Sequence, residues 1–146
     1  MTVGEEQGET SENEAAEQPG DPLLVAFVRM IAEGEGLFSM DLTLLVDGVY
    51  VSGTPISFAG YCAGVGGVLG EAMERTGGSG DVWRESFEEL AETAKADQQQ
   101  RAPRHYLHLQ NAVADIQGTF VLVPFWRGRT ESVSAWFPGG LSQRRE

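Results

Sequence analysis

The alternation of apolar and polar residues over positions 40–46, followed at once by Asp47-Gly48, constrains the fold of this chain more than any other feature. A period of two places every second side chain on one face, so the segment predicts a strand with a core face. Asp47-Gly48 supplies the positive φ of a tight turn, and residues 49–56 predict the returning strand of a hairpin. Gly53 within that strand indicates a bulge or a sharp bend.

Three more strands are predicted in the second half of the chain. Residues 105–113, 119–125 and 130–137 are alternating or rich in β-branched residues, and Gly118 opens the second of these segments. Pro124 cannot donate to a strand ladder, so we expect it at an edge or at a strand end.

Helices are predicted before the first hairpin and between the second and third strands. Asp21 is expected to cap a helix that has Pro22 at its first position and ends at Gly34 or Gly36. Its apolar stripe is expected to pack on the sheet. The Gly-rich segment 58–70 leaves helix and loop both open, with small residues packing closely on the sheet. Residues 81–94 predict an amphipathic helix that docks on the domain.

Length and composition predict one folded domain over residues 21–140. Residues 1–20 contain six glutamates and no Lys or Arg, which is typical of a disordered acidic tail. Residues 141–146 are predicted to be a disordered C-terminus. The net charge of -12 disfavours nucleic-acid binding, although the tail supplies six of these charges.

A cytoplasmic location without a membrane partner is predicted. Cys62 is the single cysteine, so no intrachain disulfide can form, and we expect this residue to be buried. The longest mainly apolar run, residues 58–69, is too short to span a bilayer, and the first twenty residues lack the pattern of a signal peptide.

No motif predicts catalysis, a metal or a cofactor. His105 and His108 have opposite strand phase, so we expect them on different faces, each partly exposed. The glycines from Gly64 to Gly70 approach a dinucleotide-binding pattern, but Leu69 occupies the third glycine position. A small-ligand-binding barrel that uses this segment stays open as an alternative.

The strongest candidate for a binding site is Pro124-Phe125-Trp126-Arg127-Gly128-Arg129, which combines basic and aromatic residues at a predicted turn. Trp and Arg are the residues most enriched at interface hot spots. We therefore predict Trp126, Arg127, Arg129 and, on the last strand, Trp136 as partner-binding residues. The alternative is structural, with an arginine paired to a carboxylate and Trp126 covering the end of the sheet.

Five short strands behind an N-terminal helix, with a helical insertion between strands 2 and 3, predict an α+β fold. The sheet is expected to be strongly bent and antiparallel, or closed as an Sm-like or SH3-like barrel. Leu42-Thr43-Leu44 with Asp47-Gly48, the strand at 106–113, and Arg127-Gly128 resemble parts of an Sm motif. That resemblance implies an RNA-binding protein in which Arg127 faces single-stranded RNA, but few basic residues lie near Arg127.

A second resemblance extends over most of residues 21–140. The residues that carry it are Leu42-Thr43-Leu44, Gly48, Val51-Ser52-Gly53-Thr54-Pro55-Ile56-Ser57, Leu107-His108-Leu109-Gln110-Asn111-Ala112 and Trp126-Arg127-Gly128-Arg129 before Val133. Together they are similar to the gas-vesicle accessory protein GvpU family. The resemblance implies a non-enzymatic protein that binds gas vesicles or their shell protein and promotes clustering or assembly. Exposed sheet edges would also allow a homo-oligomer.

Overall fold

The computed structural model describes residues 20–34, 39–101 and 105–141, with only the backbone for residues 94–101. The elements in this part of the chain are α1 (Pro22–Glu33), β1 (Leu42–Val46), β2 (Val49–Pro55), α2 (Phe58–Arg75), α3 (Asp81–Arg101), β3 (Tyr106–Ile116), β4 (Thr119–Arg129), a 3₁₀ turn (Thr130–Ser132) and β5 (Val133–Pro138). The two predicted disordered tails lie outside the described residues, apart from Gly20 and Leu141.

The five strands form one antiparallel sheet in the order β4-β3-β2-β1-β5. β4 and β5 lie at opposite edges, although only the three-residue 3₁₀ turn separates them in sequence. In a flat sheet they would be about 19 Å apart, which is four strand spacings, whereas three 3₁₀ residues rise only about 6 Å. The sheet must therefore curl strongly.

The curled sheet stays open, because the described β4 and β5 share no ladder. The predicted α+β fold is confirmed, with its N-terminal helix, its bent antiparallel sheet and its helical insertion between β2 and β3. The closed barrel given as an alternative is wrong. The three-residue turn brings the end of β4 close to the start of β5. The two strands do not run side by side along their length, so they form no ladder of hydrogen bonds.

The hairpin of β1 and β2 forms as predicted. Asp47 and Gly48 have φ of 50° and 82°, so both turn residues lie in the left-handed region that a two-residue hairpin turn uses. The predicted bulge at Gly53 is confirmed by a register shift between Ser52 and Thr54. A Cβ at Gly53 would lie 3.0 Å from the carbonyl oxygen of Gln110. A side chain at this position would push β3 away by a few tenths of an ångström, so glycine favours the close approach of β3 to β2.

One face of the sheet, which we call the core face, packs against α1. Buried apolar side chains from both layers meet there: Leu24, Val28, Ile31, Leu42, Leu44, Val51, Leu107, Leu109, Ala112 and Ala114. A buried leucine contributes about 1.5–3 kcal/mol relative to an exposed one. The predicted packing of the α1 stripe on the sheet is thus confirmed, although Leu23 at its start is 66% exposed.

The N-terminus of α1 is capped as predicted. Leu23 N–H donates to Asp21 Oδ1 at 2.9 Å, and Pro22 occupies the first turn, where no N–H is needed. Gly34 caps the C-terminus, whereas Gly36 lies outside the described residues.

The insertion between β2 and β3 is a hairpin of two helices, which settles the Gly-rich segment as helical. Buried small residues line α2, and a Cβ at Gly66 would lie 2.8 Å from Phe87 Cβ of α3. Cys62 is buried among these residues, as predicted. The small residues of α2 therefore mainly allow α3 to pack closely against it. The expected close packing of the Gly-rich segment on the sheet is confirmed at Gly64, where an added Cβ would collide with the Phe125 ring of β4. The expected docking of α3 on the domain is confirmed as well, and its contact is with α2.

Replacing Gly53 by alanine tests the close approach of β3. The new Cβ would meet backbone and Cβ atoms of β3, which cannot rotate away, so we expect a loss of about 1–3 kcal/mol in the free energy of unfolding. Gly67→Ala is the matched control, since nothing lies within 4 Å of its added Cβ and alanine favours helix. Urea denaturation measures both, and equal midpoints for Gly53→Ala and the wild type would contradict the packing argument.

Candidate functional site

The basic and aromatic segment over residues 124–129 lies in a strand and not in a turn. β4 continues to Arg129, and the turn is formed by Thr130–Ser132. The predicted turn position is wrong because these residues pair with β3: Trp126 lies opposite Leu109, and Arg127 lies opposite His108. Pro124 lies on an edge strand, as predicted.

Strand pairing divides the four predicted binding residues between the two faces. Trp126 pairs with Leu109 and Trp136 with Leu44, so both indoles lie on the core face. Arg127 and Arg129 lie on the opposite face, which we call the outer face. The structure brings the two arginines together and places the two tryptophans on the other side of the sheet.

The tryptophans are half-buried and packed against the core. Trp136 Nε1 donates to Asp21 Oδ2 at 2.9 Å, and its ring lies 5.6 Å from the Phe27 ring. This hydrogen bond, followed by that from Leu23, lowers the pKa of Asp21 below its ordinary value. Trp126 also packs on the core, and a Cβ at Gly128 would collide with its indole.

Arg127 lies at the centre of a cluster on the outer face, which we call the Arg127 cluster: Arg127, His108, Tyr106, Phe58 and Tyr61. Arg127 Nε donates to His108 Nε2 at 3.2 Å. The guanidinium carbon is 4.0 Å from the ring centroid of Tyr106 and 5.7 Å from that of Phe58. Such cation–π contacts fix the orientation of an arginine side chain. The four Nη–H donors take no part in the His108 bond and stay available to a partner.

His108 fixes the position of Arg127 by accepting its Nε–H hydrogen bond. Its ring lies 4.8 Å from Tyr61 and 5.3 Å from Phe58, and only 6% of the residue is exposed. Burial, and then the positive charge of Arg127, lower its pKa from 6.5 to about 4. The imidazole is therefore neutral, with Nε2 as an acceptor. The expectation of partial exposure is wrong for His108 because α2 covers it, and correct for His105.

Arg129 forms an exposed ion pair with Glu131. Both residues line a shallow depression with His105 and Tyr106. A pair this exposed contributes little to stability, so the depression extends the Arg127 cluster mainly as a polar surface.

Four large apolar residues on the outer face were missed by the sequence analysis. Tyr50 is 42%, Phe120 38%, Leu122 79% and Phe137 45% exposed. Residues 119–123 carried a signal for this exposed surface, because they contain no charged residue at either set of alternate positions. Alternate residues of a strand lie on opposite faces, so some of these apolar side chains had to lie away from the core. Sequence alone did not show which phase lies on the open face.

Part of the outer face is covered by the chain that follows β5. Gly139 N–H donates to the carbonyl of Asp41 at 2.8 Å, and Leu141 N–H donates to Ser52 Oγ at 2.9 Å. Thr43 Oγ1 in turn donates to the carbonyl of Gly139 at 2.8 Å. These bonds satisfy the buried hydroxyls of β1 and β2 on this face. On its β4 side, α2 packs on Phe125 at Gly64, whereas residues 119–122 are exposed.

Within residues 20–34, 39–101 and 105–141, no three His, Cys, Asp or Glu side chains are placed to hold a metal ion. No helix in these ranges combines the length and the apolar character needed to cross a bilayer. The candidate site is thus an open arginine and aromatic surface on a small α+β domain.

A model of the family described as gas vesicle protein GvpU-like matches residues 21–141. This match covers most of the chain and every helix and strand described above, so the protein belongs to the GvpU-like family of gas vesicle proteins. Searches of curated proteins and of solved structures gave no match.

The neutral state of His108 predicts a pH dependence of folding. The pKa of His108 in the folded protein lies below its ordinary value of 6.5. The stability that depends on a neutral imidazole is therefore fully present above about pH 6.5. It is lost as the pH falls toward about 4, by up to about 3 kcal/mol. Denaturation across this range should show a flatter profile for His108→Gln than for the wild type.

His105→Gln is the matched control for this experiment, because His105 is exposed just before β3. It should keep the wild-type profile. The carboxylates common to all three proteins cancel in the comparison. Identical slopes for His108→Gln and the wild type would show that His108 is not held neutral by the fold.

Proposed function

We propose that this protein is a non-enzymatic accessory protein of the cytoplasm that binds gas vesicles through their shell protein and promotes vesicle clustering or assembly. The observation that carries the proposal is the match of the GvpU-like family over residues 21–141. The open character of the candidate site supports it, since an exposed arginine among aromatic rings suits a protein contact.

We assign the contact to Arg127 and Arg129 on the outer face. His108 and Tyr106 orient the Arg127 guanidinium before a partner arrives, so binding costs less side-chain entropy. Its available donors suit a carboxylate or a backbone carbonyl on the partner. Trp126 and Trp136 are assigned a supporting role, in which they fix β4 and β5 from the core face.

Flotation with purified gas vesicles tests this assignment. We expect the wild type to float with the vesicles. Arg127→Ala with Arg129→Ala should raise the dissociation constant by about tenfold or more, which is the effect of losing a hot-spot residue. Arg75→Ala is the matched control, because it removes an exposed arginine at the end of α2, outside the proposed surface.

The outcomes separate the function from the site. If the wild type does not float with vesicles, the proposed function is wrong. If the double variant binds as well as the wild type, the function stands and the surface is elsewhere. A steeply salt-dependent affinity for single-stranded RNA, without vesicle binding, would favour the Sm-like alternative.

A further inference from the structure

Residues 1–19, which we call the acidic segment, join the domain beside the proposed binding surface. Gly20, the first described residue, packs so closely on Thr130 that a Cβ at Gly20 would lie 2.7 Å from Thr130 Cγ2. Thr130 directly follows Arg129, and its N–H donates to the carbonyl of His105 at 2.9 Å. The acidic segment is therefore attached at the end of the sheet where β4 ends and β3 begins.

The guanidinium of Arg127 lies toward this same end of the sheet. Arg127 is paired with His108 in the ladder, but its guanidinium carbon is 4.0 Å from the ring centroid of Tyr106, two residues nearer to the start of β3. Thr130 is three residues beyond Arg127 in sequence. The donors of Arg127 therefore lie on the order of 10 Å from the attachment point of the acidic segment.

The acidic segment carries glutamates at suitable distances from this attachment point. Glu17 is three residues before Gly20 and Glu14 is six, which correspond to at most about 11 Å and 22 Å of extended chain. Glu12 is eight residues before Gly20 and can reach farther. All three carboxylates can therefore reach Arg127 without any rearrangement of the domain.

Charge complementarity selects the acidic segment as the occupant of this surface, because it has six glutamates and no Lys or Arg. Three of the five arginines whose side chains are described already pair with a carboxylate: Arg29, Arg84 and Arg129. Arg127 and Arg75 do not, and Arg75 lies at the other end of α2, about 25 Å along the helix from the Arg127 cluster. Among these five, Arg127 is thus the unpaired cation close to Gly20.

We propose that glutamates of the acidic segment bind the Arg127 cluster within the same chain and cover it until a partner displaces them. The Nη–H donors of Arg127 suit a carboxylate, which accepts two parallel hydrogen bonds from a guanidinium. Attachment at Gly20 gives the segment an effective concentration on the order of millimolar at this surface. This regulation rests on the proposed function, in which the same surface contacts the gas vesicle.

The expected cover is partial, because exposed ion pairs are weak. A surface that is covered for about 70–90% of the time binds its partner about three- to tenfold more weakly than an open surface. A partner that offers carboxylates to Arg127 competes directly with the acidic segment for the same donors. The segment therefore sets a threshold that such a partner must exceed.

Paramagnetic relaxation in the full chain tests the contact without vesicles. A nitroxide attached to Ser11→Cys should broaden the backbone amide signals of residues 106–108 and of Arg127, while the buried Cys62 stays unlabelled. The broadening should decrease at 1 M salt, where the Debye length is about 3 Å. No broadening of these signals in the wild-type background would overturn the proposal.

Two triple variants, each with the same label, separate a charge contact from simple attachment at Gly20. Replacing Glu12, Glu14 and Glu17 by glutamine should remove most of the broadening. The matched control replaces Glu85, Glu88 and Glu89 by glutamine, which removes three exposed charges from α3, and it should keep the wild-type broadening. Equal broadening in the two variants would overturn the proposal.

Vesicle flotation keeps this proposal separate from the proposed function. The acidic-segment variant should bind vesicles about three- to tenfold more tightly than the wild type, whereas the α3 variant should bind as the wild type does. The gain should disappear when Arg127→Ala is added, because the segment then has no guanidinium to cover.

The outcomes of the two experiments are distinguishable. If the wild type binds no vesicles but shows the relaxation contact, the proposed function is wrong and the contact within the chain stands. If vesicles bind equally to the wild type and to the acidic-segment variant, the segment does not regulate the surface and the proposal is overturned.

Discussion

The architecture depends on the three-residue connection between two strands that lie at opposite edges of the sheet. Thr130–Ser132 must join the end of β4 to the start of β5, and Thr130 N–H is itself tied to the carbonyl of His105 at 2.9 Å. The sheet can meet this constraint only by curling. The bulge at Gly53 and the positive φ of Asn111 bend β2 and β3 at neighbouring positions. The curl brings the core face around α1.

The same constraint shapes the candidate site. Because β4 remains a strand up to the connection, its side chains alternate between the core and outer faces. Trp126 packs on the core, whereas Arg127 lies on the outer face in contact with His108 and Tyr106. The proposed contact is therefore an ordered arginine supported from beneath by aromatic packing.

Local signals predicted the parts of the fold that local chemistry decides. Asp47-Gly48 and the cap at Asp21 were predictable because their conformations follow from neighbouring residues, and Gly53 because a lone glycine interrupts a strand. The helical state of the Gly-rich segment was not, since glycine disfavours helix and the compensation comes from packing on α3 and on the sheet. The burial of His108 depends on long-range strand pairing, and so does the placement of Trp126 and Arg127 on opposite faces of the sheet. Such pairing cannot be read from a single sequence.

The helical hairpin of α2 and α3 has a consequence for how such a chain can change over evolutionary time. Its glycine-lined seam and the Arg84–Glu74 ion pair at its tip are internal to the hairpin. At its base, Ile56 N–H donates to the carbonyl of His108 at 2.9 Å, so β2 and β3 remain joined where the hairpin leaves the sheet. Because β2 and β3 are joined at this base, helical turns added or removed at the tip would leave the register of their ladder unchanged.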